Sequence, residues 1–164
     1  MSKLMFFCMH LVMLSLLAKE ETTCIGRYVL SEMQLADHKV FENDSSKRLL
    51  LRWRVCPIEN DIVGEDIAYV QHAIIPSHKS YELDLSKAAD FITLKAGKII
   101  KKYEVNLSVG IVSKAPKKPH ADLSCRSLKW SESGSQMKKN EFLGNHTFRL
   151  KKAKNGQILY QAIV

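Results

Sequence analysis

The sequence predicts an all-β fold, an immunoglobulin-like antiparallel β-sandwich of about seven to nine strands in one domain. Three observations carry this expectation. Apolar residues recur on every second position along most of the chain, the period of a strand with one buried face. Clusters of Gly, Pro, Asn, Asp and Ser break the alternation at intervals of roughly 8–15 residues, as short strands folded back on one another require. The C-terminal stretch "HTFRLKKAKNGQILYQAIV" reads as two such runs joined through Asn155-Gly156, residues that tolerate the positive φ of tight hairpin turns.

The chain opens "MSKLMFFCMHLVMLSLLAKEETTC", with Lys3 followed by an apolar run from Leu4 to Ala18 broken only by Cys8, His10 and Ser15. Such a run falls short of the roughly 20 residues that a membrane-spanning helix needs. It has the form of a secretory signal peptide cut after Ala18. Residues 1–18 are therefore expected to be a leader and 19–164 a single secreted domain, extracellular or in the lumen of the secretory pathway, without a transmembrane segment. What remains suffices for one core and is too short for two.

Along that domain, "RYVLSEMQL" is a first strand with Tyr28, Leu30 and Met33 inward, and "ADHKVFENDSSK" is polar and turn-rich. "RLLLRWRVC" alternates Leu49, Leu51, Trp53 and Val55 against Leu50, Arg52 and Arg54, and Pro57 is expected to end the strand by removing a ladder donor. "EDIAYVQHAII" fits either a short helix or a buried strand. "SYELDLSK" alternates, "ADFITLKAGK" is β-branched and then turns at Ala96-Gly97, and "KKYEVNLSVGIV" (residues 101–112) is the cleanest strand of all. Its Tyr103, Val105, Leu107, Val109 and Ile111 are expected on a dry face, and Asn106 on a wet one. "APKKPH" cannot sit inside a sheet. "ADLSCRSLKW" resumes strand character, and "SESGSQMKKN" is a loop.

Three glycosylation sequons, at Asn43, Asn106 and Asn145, agree with a secretory route and would all have to lie on the surface. Of the four cysteines, Cys8 falls in the leader, leaving Cys24, Cys56 and Cys125 to form one disulfide and leave one thiol. Cys56 with Cys125 is the first choice, and pairing of Cys24 with either is the rival. The net charge of +8 is dispersed over many lysines. On an extracellular protein it favours proteoglycans and anionic headgroups, and no basic motif interleaved with aromatics points to nucleic acid.

Catalytic chemistry finds little footing. The histidines 38, 72, 78, 120 and 146 stand outside metal-ligand spacing, and no nucleophile elbow, His-Glu-x-x-His or phosphate-cradling glycine loop occurs. A non-enzymatic protein is expected, with no cofactor and no metal.

The residues "GNHTFRLKKAKNGQILYQAIV", with Gly144, Gly156 and Leu159, and the stretch "CRSLK" resemble the closing strands of the ML lipid-recognition domains. The resemblance spans about a quarter of the chain. The cysteine that members carry in the final strand is replaced here by Tyr160 and Gln161. It implies a lipid or glycolipid held in a cavity between two sheets. Trp53, Tyr103, Val105, Leu107, Val109, Phe148, Leu150 and Tyr160 are the candidate walls, and Lys101, Lys102, Lys151 and Lys152 a basic rim. The alternative is a closed immunoglobulin- or fibronectin-like module that binds a protein receptor or a proteoglycan through its basic surface.

Overall fold

The computed structural model describes residues 22–112 and 137–163, which form two β-sheets packed face to face. Sheet A contains β1 (Thr22–Ser31), β3 (Leu49–Glu59), β4 (Ile62–Val63), β5 (Tyr69–Ile75) and β7 (Lys102–Ile111). Its order is β1-β7-β3, with β5 pairing the first part of β3 and β4 its end. Sheet B contains β2 (Lys39–Asn43), β6 (Ser80–Leu83), β8 (His146–Lys152) and β9 (Ile158–Ile163) in the order β6-β2-β8-β9. The fold is an all-β sandwich. Among the described residues, the pairings are antiparallel except that of β2 with β8, which run parallel.

Alternation does its work best in β3 and β7. Leu49, Leu51, Trp53 and Val55 lie opposite Ile111, Val109, Leu107 and Val105, so cross-strand apolar pairs line the whole inner face. Sheet B answers with Phe41, Leu83, Phe148, Leu150 and Ile158, all buried. Phe41 and Phe148 pack ring to ring at 5.3 Å within sheet B, and Trp53 reaches Tyr81 across the sandwich at 5.9 Å. At the edge strand β1, Tyr28 stacks on Phe142 at 4.5 Å and donates its hydroxyl to the Met137 carbonyl at 2.6 Å. Burial holds that phenol far above its ordinary pKa. Its ring folds back over Gly26, where a Cβ would fall 2.1 Å from the phenolic oxygen, so the close approach depends on glycine.

Four segments depart from the reading of the sequence. The first strand ends at Ser31, whose hydroxyl and the Gln34 side chain form a capping box for a short helix, α1 (Glu32–Leu35). Met33 is therefore on the solvent side and not inward. The polar stretch 36–47 contains β2, hidden in sequence because only Phe41 of its core-facing residues is apolar, its companions being Lys39 and Asn43. "SKAADFITLKA" is a helix, α2 (Ser86–Ala96), because Ala88, Ala89 and Ile92 reach the core at helical spacing. Gly97 closes it with φ 69°, so the turn there stands. Pro57 does not end β3, which continues to Glu59. There the Pro57 carbonyl accepts from the Gly64 backbone N–H at 2.8 Å. The ambiguous segment resolves into a 3-10 turn (Glu65–Ile67) followed by the strand β5. In the closing hairpin only Gly156 takes positive φ, and its N–H bonds the Ala153 carbonyl. The third helix, α3 (Lys139–Phe142), brings Phe142 against Tyr28.

The sheets are tied at one end by Asn43, which is 1 % exposed. Its Nδ2 donates to the carbonyls of Ile75, in sheet A, at 2.8 Å and of Lys47 at 2.7 Å. Its Oδ1 accepts from the Ser45 backbone N–H at 3.1 Å and hydroxyl at 2.7 Å. Asn43→Ala is expected to cost about 2–4 kcal/mol, since the buried Ile75 carbonyl loses its side-chain donor and the buried Ser45 N–H loses its acceptor. The midpoint of urea unfolding measures this, and a change under about 0.5 kcal/mol would show that water replaces the amide.

Candidate functional site

The candidate cavity walls come together, but as a packed core. Tyr103, Val105, Leu107, Phe148 and Leu150 are 0 % exposed, Val109 1 % and Trp53 4 %, all within one cluster that spans both sheets. A side chain on the wall of a lipid-sized void keeps surface that a water can reach, and these keep almost none. Tyr160 sits apart at the rim of this cluster, half-buried, its phenol pushed up to about 12 by burial and by the nearby Glu141 carboxylate.

The outer face of sheet A overturns the expectation of a wet side to β7. Register places Glu104, Asn106 and Ser108 of β7 opposite Cys56, Arg54 and Arg52 of β3, and Cys24 of β1 opposite Ser108. Asn106 and Ser108 are 0 % exposed, Glu104 7 % and Arg54 8 %. The Asn106 amide donates to Glu104 Oε1 at 3.2 Å, and an Arg54 guanidinium N–H reaches the Glu65 carbonyl at 3.5 Å. The central strand is thus sealed on both faces.

Two of the three sequons are corrected accordingly. Asn106 has no room for a sugar, and the buried Asn43 amide spends its N–H groups on the carbonyls of Ile75 and Lys47. Asn145 is exposed, and it is its Oδ1 that accepts from the His38 backbone N–H at 2.7 Å, a bond that does not use Nδ2. Of the cysteines, Cys24 and Cys56 flank β7 from opposite sides, four register positions apart. That separates their Cα atoms by about 16 Å, whereas a disulfide needs less than about 7 Å. The two do not pair with each other. Cys125 lies outside the described residues.

The four rim lysines split into two groups. Lys101 and Lys102 stand where β7 begins, beside Ser31 and Ile58. Lys151 and Lys152 stand at the other end of the sandwich, where Lys152 faces Ile158 and the Ile158 N–H meets Thr23 Oγ1 at 3.3 Å. No single rim exists. At this second end the sequence reading missed further members of the group. The Asp44 N–H bonds the Leu150 carbonyl, and the Asn43 N–H bonds that of Lys79, so exposed Lys47, Lys79 and Lys154 join Lys151 and Lys152. An adjoining cleft of about 470 Å³ is lined by Glu42, Asp44, His78, Lys79 and Arg149 among others. Arg149 is matched there by Glu42 at 3.6 Å, and the lining balances Lys79 and Arg149 against Glu42 and Asp44, so the excess positive charge lies on Lys47, Lys151, Lys152 and Lys154 outside it. Sequence separation of more than 100 residues between Lys47 and Lys151 hid this cluster; only the parallel pairing of β2 with β8 creates it.

The loop after α3 is built on a buried cation. Lys39, 1 % exposed, donates to the Gly144 carbonyl at 2.6 Å and lies over the Phe142 ring at 4.4 Å. Burial lowers its pKa, with Asp37 opposing. Asp37 in turn accepts from the Gly144 N–H at 3.0 Å. Among the described residues no three His, Cys, Asp or Glu side chains converge as metal ligands, and no helix is long and apolar enough to cross a membrane. Comparison with protein families, with curated proteins and with solved structures finds no match.

Protein secreted from animal cells is expected to yield no stoichiometric lipid on organic extraction; a bound lipid recovered in equal amount would show that the sheets part. A peptide map without reductant is expected to contain no Cys24–Cys56 link, and finding one would contradict the register of β1 and β3 on β7.

Proposed function

We propose that this chain is a secreted, non-enzymatic binding module that attaches to sulfated polysaccharide, of the kind carried by proteoglycans, through the lysine cluster at its hairpin end. The observation that carries the reading is the convergence of Lys47, Lys79, Lys151, Lys152 and Lys154 on one end of a closed sandwich. Several exposed ammonium groups on strand ends and tight turns make a fixed positive surface, to which a flexible polyanion adds contacts at little cost in protein order. Such binding is electrostatic and weakens as salt shortens the Debye length. The leader, the exposed Asn145 sequon and the cysteines support the extracellular setting. Carriage of a lipid between the sheets finds little support in the candidate walls, which among the described residues are buried in the core apart from half-buried Tyr160.

Heparin chromatography tests the reading. The double variant K151E/K152E is expected to elute at clearly lower salt and to bind about tenfold more weakly near physiological ionic strength. K101E/K102E, at the other end, should elute close to the parent. Equal losses in the two variants would mean that only net charge is sensed, which would sink the localised site.

The same setting predicts one N-glycan on the secreted protein, at Asn145. Peptide-N-glycosidase should remove a single glycan mass, Asn145→Gln should abolish it, and a glycan recovered on the Asn43 or Asn106 peptide of folded protein would refute the burial argument.

A further inference from the structure

Opposite the lysine cluster, the sandwich ends in α1 and the C-terminal part of α2, and here its most exposed apolar residues gather. Met33 is 84 % exposed, Leu94 82 % and Ile99 78 %. Single exposed apolar side chains are ordinary, but two lining one groove, with Met33 next in sequence to a third lining residue, Glu32, are not. The groove, of about 370 Å³, is lined by Glu32, Asp90, Thr93, Leu94 and Ile99. Local structure explains the outward placement. Leu94 is on the side of α2 away from Ala88, Ala89 and Ile92, and the left-handed Gly97 turns the chain so that Ile100 enters the core and Ile99 does not.

The charge of this groove opposes that of the whole molecule. In a chain of net charge +8, its charged lining is two carboxylates, Glu32 and Asp90. Neighbouring bases are engaged elsewhere: Lys98 pairs with Glu59 at 2.8 Å, and Lys95 lies over the Phe91 ring at 5.8 Å. Lys101 and Lys102 lie beyond the groove, at the start of β7.

We infer that this groove receives a segment of a partner protein that presents an apolar side chain next to a lysine or arginine. The apolar side chain covers Leu94 and Ile99, and the cation sits against Glu32 and Asp90. Partly desolvated charge pairs of this kind select a partner by sign, and the apolar contact supplies the burial. An anionic membrane surface fits poorly, because its headgroups would meet carboxylates.

The test uses the full secreted protein and three synthetic peptides: one alternating Leu with Lys, one alternating Leu with Glu, and one alternating Ser with Lys. The Leu/Lys peptide is expected to shift the amide resonances of Glu32, Asp90, Thr93, Leu94 and Ile99, and the other two are not. The double variants E32K/D90K and L94S/I99S should each weaken that binding by about tenfold or more. K151E/K152E should leave it unchanged, which separates this site from the polysaccharide site. Equal binding of the Leu/Lys peptide to the parent and both groove variants would overturn the inference. So would shifts confined to other surfaces, binding to phosphatidylserine vesicles that L94S/I99S abolishes, or self-association in sedimentation that L94S/I99S abolishes, since the groove would then serve a membrane or a second copy.

Discussion

The pairing of β3 with β7 is the constraint on which the rest of the molecule depends. Ten register pairs join these strands, from Leu49 with Ile111 to Ile58 with Lys102. Their inner faces form the centre of the core, and their outer faces are buried as well. A strand pair closed on both sides offers no surface to a ligand. What can bind must therefore bind at the ends of the sandwich, on its edges or on the outer face of sheet B, and the two distinctive surfaces of this protein are indeed its ends.

The ends owe their shape to buried polar side chains. At the hairpin end, Asn43 draws β2, the 44–48 loop and β5 together through four hydrogen bonds, and so carries Lys47 toward the lysines of β8. Nearer the opposite end, Lys39 and Asp37 both bond Gly144, holding the loop before β8 against β2. Each group sits where an apolar residue would be the ordinary choice. An apolar side chain could fill the space but could not satisfy the loop carbonyls, which are costly to bury alone. Fixing irregular backbone is what these polar residues contribute.

The same fact explains what the sequence could and could not show. Alternation identified β3 and β7 because their inward residues are all apolar, and it separated Leu49, Leu51, Trp53 and Val55 correctly from Leu50, Arg52 and Arg54. It missed β2, where Lys39 and Asn43 occupy inward positions, because a buried lysine is indistinguishable from a solvated one until its carbonyl partner is known. It read α2 as extended because Ile92 and Thr93 are β-branched, while the helical signal rests on two alanines of little hydrophobic weight. Asn106 obeyed the period of two, yet landed on a face that is itself covered. One-sided burial is an assumption that periodicity cannot test. The candidate sites suffered most: Lys47 and Lys151, or Glu32 and Asp90, become neighbours only through tertiary pairing.

The two ends differ in kind, one cationic and polar, the other apolar with carboxylates, and β7 spans most of the distance between them. A ten-residue strand extends about 33 Å, several times the roughly 8 Å Debye length at physiological salt. Charge neutralised at the lysine cluster is therefore screened from Glu32 and Asp90. Mechanical coupling has no evident route either. The connecting strands β3 and β7 are paired over their length and their inward side chains are buried, and coupling requires an element with two arrangements that both sites bias. The fold thus favours independent attachment at either end. Its rigid core fixes the spacing and direction of the two surfaces, so that a molecule held at its cationic end would turn the apolar end outward toward whatever can complement it.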